Sequence, residues 1–370
     1  MPTSFCDDLI ARLGPDAGCW EQLARWQRPI VLYGMGDGAD KIMAVLAERS
    51  LPVAGVCASD EFVRGHSFCG FVVETVDQAV QRLGNPVFLL CFATQRPEVL
   101  ALVQNLAARH TLLAPDVPVC GGDVFTYNFL CHHRQELDTV YNRLADEQSR
   151  RVFADVVAYK WTGRPDFLWQ NTSAPGDWYN LIAPGPQEYL VDAGAYTGDT
   201  VAGFLSYAGG AYHKILALEP DRRNFRRLET AVGHLPQVTC LPMGAWHSRD
   251  ALAFTQSTGR QNRLEESISP QNGTTTPVAA IDELLAGEAA TIIKYDVEGA
   301  EEQALAGSAD TIRRFHPALI VSAYHHSRDI FSLPLQVLAL HDSYRLYLRR
   351  PPYVPAWDLC YICVDDQKTQ

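Results

Sequence analysis

From residue 29 onward, short apolar runs alternate with stretches of helical period, and this alternation restricts the fold more than any other feature of the chain. "PIVLY", "VAGVCA" and "PVFLLCF" read as buried strands. "DKIMAVLAERS", "VDQAVQRL" and "PEVLALVQNLAAR" read as the helices between them. Strands that are apolar throughout, separated by amphipathic helices, imply a parallel sheet covered on both faces. Ahead of them, residues 1–28 read as an amphipathic helical region with Leu9, Leu13, Leu23 and Trp26 as its apolar stripe. From about residue 121 to 180 the pattern changes to two helices, within "RQELDTVYNRLADEQSRRVFADVVAYKWTG", and a Trp/Pro/Asn/Gly-rich stretch. Alternation then resumes with "EYLVDAG", "KILALEPD", "VTCLPMGAW", "TIIKYDVEG" and "PALIVSAYHH". "YRLYLRR" and "LCYICVDD" close the chain; the link between them has no helical pattern, so they are expected to pair antiparallel.

At 370 residues the chain exceeds one ordinary core. The expected architecture is α/β, with two Rossmann-like domains at 1–120 and 181–370 joined by a helical segment at 121–180. The net charge of −12 speaks against a nucleic-acid partner. No apolar run is long enough for a membrane span. "MPTSFCDDLIARLGPD" lacks the basic n-region and apolar stretch of a signal peptide, and the ten cysteines show no framework spacing. The expectation is a cytoplasmic protein with reduced thiols. "CYIC" (360–363) has CxxC spacing, but a strand sends its two ends to opposite faces; "CHH" (131–133) lacks a second ligand pair.

Two glycine loops follow apolar strands. In "YLVDAGAYTGDTVAGFL" the strand runs to Asp192, and Gly194 and Gly198 precede a helix. The spacing is D-x-G-x-x-x-G rather than the G-x-G-x-x-G of dinucleotide binders, and Asp192 would repel a pyrophosphate. A cationic ligand would welcome it. S-adenosylmethionine (AdoMet) carries a sulfonium and an ammonium and no phosphate. Glu219, ending "KILALE", stands where an acid accepts both ribose hydroxyls of an adenosine, or else caps the helix that follows. The earlier loop, "VLYGMGDGADK", fits G-x-G-x-x-A through Gly34, Gly36 and Ala39, with Asp37 and Asp40 as helix N-terminal acids and Asp60 within conceivable reach of a ribose. It is either a nucleotide site or a scaffold without ligand.

Several motifs of the C-terminal half, taken in order, resemble the FkbM family of methyltransferases: "VDAGAYTGDT", "LALEPDRRNFRRL", "GAWHSRDALAF", "VAAIDELL" and "IIKYDVEGAEEQALAGSADTIRRFHPALIVSAYHH". The resemblance covers about residues 185–370, and "LADEQSRRVFADVVAYKWTG" resembles the segment found in members with an extra N-terminal domain. It implies a class I AdoMet-dependent sheet and methylation of hydroxyls, often on sugars or secondary metabolites. By this resemblance Asp192, Gly194 and Gly198 belong to the AdoMet loop and Glu219 to the ribose, with Tyr196 and Pro220 beside them as cofactor-binding residues; by its position after the third strand, Met243–Gly244–Ala245 falls where the adenine lies in such proteins.

For the reaction, "TIIKYD" ends at Asp296 with Glu298 just beyond, and "PALIVSAYHH" ends at His325 and His326. If these strands are neighbours, the carboxylates and imidazoles can activate a hydroxyl directly or through a divalent metal, with Asp296 the first choice and a histidine its partner. The same acids also suit a helix start. Lys294 is expected as a buried partner for a carboxylate, and Arg349, Arg350 and Tyr353 as possible acceptor contacts. The functional expectation is an AdoMet-dependent O-methyltransferase acting on a small-molecule or saccharide acceptor. The alternatives are an NAD-dependent oxidoreductase or epimerase working from the first loop, and a non-catalytic nucleotide-binding protein.

Overall fold

The computed structural model describes residues 4–59, 63, 65–174, 176–256, 262–265 and 275–365. Asp60 lies outside them. The N-terminal sheet holds β1 (Ile30–Tyr33), β2 (Val53–Ala58), β3 (Ser67–Phe68), β4 (Phe71–Thr75), β5 (Val87–Leu90) and β6 (Leu112–Leu113), in the order β3-β4-β2-β1-β5-β6. All pairings are parallel except that of β3 with β4. Every residue of β1 and β5 is buried, as the central strands of a doubly covered sheet require. The β3–β4 hairpin and the two-residue β6 carry too little alternation to read from sequence.

The C-terminal half contains β7 (Tyr189–Ala193), β8 (Lys214–Leu218), β9 (Val238–Leu241), β10 (Gly244–Ala245), β11 (Asp250–Gln256), β12 (Asn262–Glu265), β13 (Thr275–Ala279), β14 (Ile292–Tyr295), β15 (Ala318–Ser322), β16 (Tyr344–Arg349) and β17 (Cys360–Asp365). Seven of them form one sheet in the order β16-β17-β15-β14-β7-β8-β9. β17 inserts antiparallel between β15 and β16, so the expected antiparallel terminal pair is present. β14 and β15 are neighbours in register, Tyr295 beside Val321. "VTCLPMGAW" is not one strand. β9 stops at Leu241, because Pro242 has no N–H to donate to a ladder. β10 then joins a second sheet, β10-β13-β11-β12, which the sequence reading did not foresee.

Helices Phe5–Leu13 and Cys19–Trp26 open the chain, and Arg134–Arg143 and Glu147–Thr162 follow the first sheet. The last of these lies against β16, where the Leu348 amide donates to Ser149 Oγ at 2.9 Å. Its Lys160 ammonium, 3.0 Å from Asp116, is the buried cation that ties this helix to the end of the first sheet. A single apolar cluster runs through Leu9, Val31, Phe153, Val191, Ile293 and Leu346, so both sheets and the intervening helices share one core.

Candidate functional site

Strand order reverses between β7 and β14, and open α/β sheets bind ligands outside the carboxyl ends of the strands at such a point. A cleft of about 860 Å³ opens there. Gly194, Lys294, Ser322 and Cys360 line it, as do Tyr196, Glu219, Pro220, Asn224, Gly244 and Ala245. Among the described residues six carboxylates (Asp177, Asp199, Glu219, Asp296, Glu298, Asp358) face it, against the three cationic side chains Lys294, Arg349 and Arg350. Such a lining favours a cationic ligand over a pyrophosphate.

Gly194 turns the chain out of β7 with φ +86, and a Cβ there would collide with the backbone carbonyl of Asp296. Glycine is therefore demanded twice, by backbone conformation and by the close approach of the β14 loop. Gly198 does other work. It begins helix Asp199–Tyr207 at φ +91, and a Cβ would press on Val232 and Leu228 at 3.2 and 3.4 Å. It sets helix packing and does not line the cleft.

Asp192 also lies beneath the cleft rather than on its surface. It is completely buried, its oxygens accept no hydrogen bond among the described residues, and Lys294 Nζ is 3.9 Å away. The pairing of β7 with β14 puts Asp192 beside Lys294. Burial pushes Asp192 up to about 6, with Lys294 opposing. The expected direct contact of Asp192 with a cationic ligand is thus replaced by an internal cation.

Glu219 is 6% exposed and holds two loops together: one oxygen accepts from the Tyr196 amide and the other from the Asp221 amide, both at 2.8 Å. Burial pushes it up to about 7, with those two amides opposing. Each oxygen keeps a further lone pair for a hydroxyl. Helix Arg222–Val232 is capped instead by Asp221, whose carboxylate accepts from the amides of Arg223 and Asn224.

At the end of β14, Asp296 accepts from Lys294 Nζ and from the Tyr324 hydroxyl, each at 3.2 Å. Burial alone would raise Asp296, but Lys294 and His325 outweigh it and hold the carboxyl below its usual range. Glu298 differs. Burial pushes it up to about 7 with His325 opposing, although 39% of its side chain stays open, so solvent tempers the rise. The two carboxylates are split in acidity, and both line the cleft.

The histidines depart from expectation. His325 is fully buried and absent from the cleft wall. Its Nδ1 lies 3.0 Å from Glu301, and its Nε2 lies 3.5 Å from Glu298 and 3.8 Å from Asp296. Burial would pull the imidazole down, but these three carboxylates push it up to about 10. Buried among three carboxylates and away from the cleft wall, His325 is placed to hold those carboxylates rather than to meet an acceptor directly. His326 faces elsewhere. Its ring nitrogens meet the carbonyls of Gly121 (2.9 Å) and Gly299 (3.3 Å), closing the loop after the first sheet onto the β14 turn.

Glu301 is buried and accepts from the amides of Val297 (2.8 Å) and Gly299 (3.1 Å). Tyr324, whose ring lies against His325 with centroids 4.1 Å apart, went unremarked in the sequence, where an aromatic after a strand reads as packing. Arg349 is paired with Asp146 at 2.6 Å and Asp177 at 3.5 Å. Arg350 donates to the carbonyls of Leu168, Pro351 and Tyr353. Both arginines are therefore bound into the wall. Tyr353 lines a different cleft, described below.

The donor atoms of Asp296, Glu301 and His325 fall within 4.8 Å of one another. They do not fit a divalent metal. Lys294 already supplies the cation beside Asp296, and two amides occupy Glu301.

In the first loop, a Cβ at Gly34 would strike Phe92 and one at Gly38 the Cys91 carbonyl, while Lys41 bridges Asp37 at 3.0 Å and the Val119 carbonyl at 2.8 Å. A smaller cleft of about 460 Å³ lies beside this loop, with Phe92, Tyr159, Tyr353 and Trp357 among its walls; Gln95 borders both clefts.

Strand order, the inserted antiparallel strand and the carboxylate cleft at the switch point define an α/β domain of the class I methyltransferase type. Residues 192–354, somewhat less than half of the chain, match the family described as Methyltransferase FkbM domain, which supports a methyltransferase. Over 97% of its length the chain is similar to methyltransferase FkbM from Methylobacillus flagellatus KT, of which 99% is covered, at 21% identity and a TM-score of 0.75; this likeness extends the shared fold through the N-terminal half. An rRNA methylase from Streptococcus thermophilus is more distant (13% identity, 55% of this chain, 96% of that one, TM-score 0.35). So is Aeropyrum pernix fibrillarin in complex with S-adenosyl-L-methionine (13% identity, 51% of this chain, 73% of that one, TM-score 0.32). No curated protein matches the sequence.

Proposed function

We propose that the protein transfers the methyl group of AdoMet to a hydroxyl of a saccharide, glycan precursor or secondary metabolite. The observation that carries this reading is the split pair of carboxylates at the end of β14: Asp296 held acidic by Lys294, and Glu298 pushed up to about 7 at the cleft surface. A hydroxyl acceptor needs a base, and a group titrating near neutral pH is the efficient one. An amine acceptor that is already neutral makes no such demand.

AdoMet, when bound, supplies an electrophilic methyl on a good leaving group. Glu219 would accept the ribose hydroxyls, and Gly244 and Ala245 would leave room for the adenine. Glu298 takes the acceptor's proton on a carboxylate oxygen. Asp296, fixed by Lys294 and Tyr324, presents an anion that orients the acceptor hydroxyl. His325 holds both carboxylates in place from behind. Alignment of acceptor and sulfonium supplies much of the acceleration. The cleft, about 860 Å³, stands near the upper end of small-molecule sites, which run about 300–1,000 Å³, and so has room for cofactor and acceptor together.

The oxidoreductase alternative has less support, because the matched family is a methyltransferase and the carboxylate lining opposes a pyrophosphate. The test is calorimetry with AdoMet and NAD, followed by methyl-labelled AdoMet offered to hydroxylated sugars and metabolites and to matched amines. Label in base-stable ethers supports the proposal. Label confined to amines, or tighter binding of NAD than of AdoMet, overturns it.

A further inference from the structure

We propose that His316, His341 and Asp365 form a divalent-metal site of the zinc class at the edge of the large sheet opposite the cleft. His316 and His341 precede β15 and β16, and Asp365 ends the antiparallel β17. All three therefore meet at the end of the sheet remote from Asp296. They come from three separate elements: His316 closes helix Ala309–Phe315, and His341 closes helix Asp329–Leu340.

The hydrogen bonds fix one tautomer. His316 Nε2 lies 3.0 Å from the Arg313 carbonyl, which can only accept, so Nε2 carries the proton. In the neutral ring, Nδ1 then presents a lone pair, and what it faces is Asp365 Oδ2 at 3.0 Å. Two acceptors at that distance repel unless something positive lies between them. His341 adds to the difficulty. Its Nε2 lies 3.6 Å from Asp365 Oδ1, is buried, and has no hydrogen-bond partner among the described residues.

A proton on Nδ1 would satisfy one contact only. It would also make His316 an imidazolium stacked on His341, with ring centroids 3.7 Å apart and planes at 17°. A divalent ion answers all three groups at once. Zinc bonds of about 2.0–2.1 Å in a tetrahedron place ligand atoms about 3.3–3.4 Å apart; each imidazole nitrogen lies 3.0 or 3.6 Å from one oxygen of the Asp365 carboxylate, and one ligand atom from each residue falls within 4.8 Å of the other two. Two imidazoles and one carboxylate are a zinc donor set, and the Arg313 carbonyl is the outer partner that orients such a histidine. The imidazoles keep 29% and 18% of their surface, which gives an entry path and a place for water as fourth ligand; Asp365 keeps 2%. The ion would pin the lead-ins of β15 and β16 to the end of β17.

The test uses the full chain, stripped with chelator and kept reduced, and titrated with Co²⁺ and Zn²⁺. About one equivalent should bind, with visible cobalt d–d absorption and without a thiolate charge-transfer band. Zinc should shift the ring resonances of His316 and His341 in the parent protein and raise its thermal midpoint. Loss of an outer partner costs about 10–100-fold in affinity, so His316→Gln and His341→Gln should each cost about 100-fold or more. Asp296→Asn should bind as the parent does. Absence of uptake by the parent, ring resonances that do not move, or affinity unchanged in both histidine variants overturns the site. The parent-protein readouts decide the matter should either variant fail to fold.

Discussion

His325 Nδ1 lies 3.0 Å from a carboxylate oxygen of Glu301, and neither side chain is open to solvent. Glu301 also receives the amides of Val297 and Gly299, so one buried acid ties the imidazole of β15 to the turn that carries Glu298. Removing one member of such a buried pair costs about 3–5 kcal/mol, because the other is left charged and uncompensated. Glu301→Gln should lose stability on that scale in urea unfolding. The pH dependence has a definite sign. The folded value of His325, about 10, exceeds the ordinary 6.5. Its contribution is therefore full below about 6.5 and is lost as pH rises toward 10. The His325 ring resonances should not titrate between about pH 6 and 8; a midpoint near 6.5 would show the ring neutral and reopen it as a base.

Glu298 carries the prediction about chemistry. A base must be ionised, so turnover should rise with pH along a limb centred above the ordinary carboxylate range and no higher than about 7, the direction in which burial moves this carboxyl. Glu298→Gln should lower kcat by about 10²–10⁴ and leave AdoMet binding nearly intact. Asp296→Asn removes the partner of Lys294 and Tyr324, and should impair turnover without shifting the alkaline plateau. If Glu298→Gln keeps the parent rate and its pH limb, the proton goes elsewhere.

Gly194→Ala is a steric test of the same turn. The φ of +86 strains any side chain, and the new Cβ would meet the Asp296 carbonyl. Left-handed strain costs about 1–3 kcal/mol, and displacement of the β14 loop adds to it. The variant should fold with reduced stability and lose most AdoMet affinity by calorimetry. Parent-like binding would show that the loop tolerates the shift and that Gly194 does not shape the cofactor wall.

Much of this architecture was legible because local pattern and global topology agree. Apolar strands such as "IVLY" and "IIKY" admit only central positions in a covered sheet, and the acids that end β8 and β14 fall at the one edge where ligands bind. What escaped the sequence was burial of individual polar groups. Asp192 and Glu219 look alike, each ending an apolar strand, yet only Glu219 reaches the cleft, because the register of β7 with β14 sets Asp192 beside Lys294. The histidine pair misled for a related reason. Adjacent residues after a strand point to different sides, so His325 meets three carboxylates while His326 meets two carbonyls. The second sheet was hidden by Pro242, a single residue that ends β9 inside an unbroken apolar run.

The division of labour between the two glycine loops gives the last prediction. Glu219 is desolvated where the ribose is expected, and a lost hydrogen bond to a charged group costs about 1.5–3 kcal/mol, or roughly 10–150-fold in affinity. Glu219→Ala should weaken AdoMet by that factor, and also loosen the Tyr196 loop that it anchors. Glu219→Gln retains an acceptor and should fall in between. Gly36→Val provides the contrast. A Cβ at Gly36 meets nothing within 4 Å, so added bulk would project into the space a ligand of the first loop needs, although φ is +102 and some stability will be lost. AdoMet affinity and methyl transfer should survive Gly36→Val and fail in Glu219→Ala. The reverse pattern, in a Gly36→Val protein shown to be folded by circular dichroism, would move the cofactor to the N-terminal sheet and with it the chemistry.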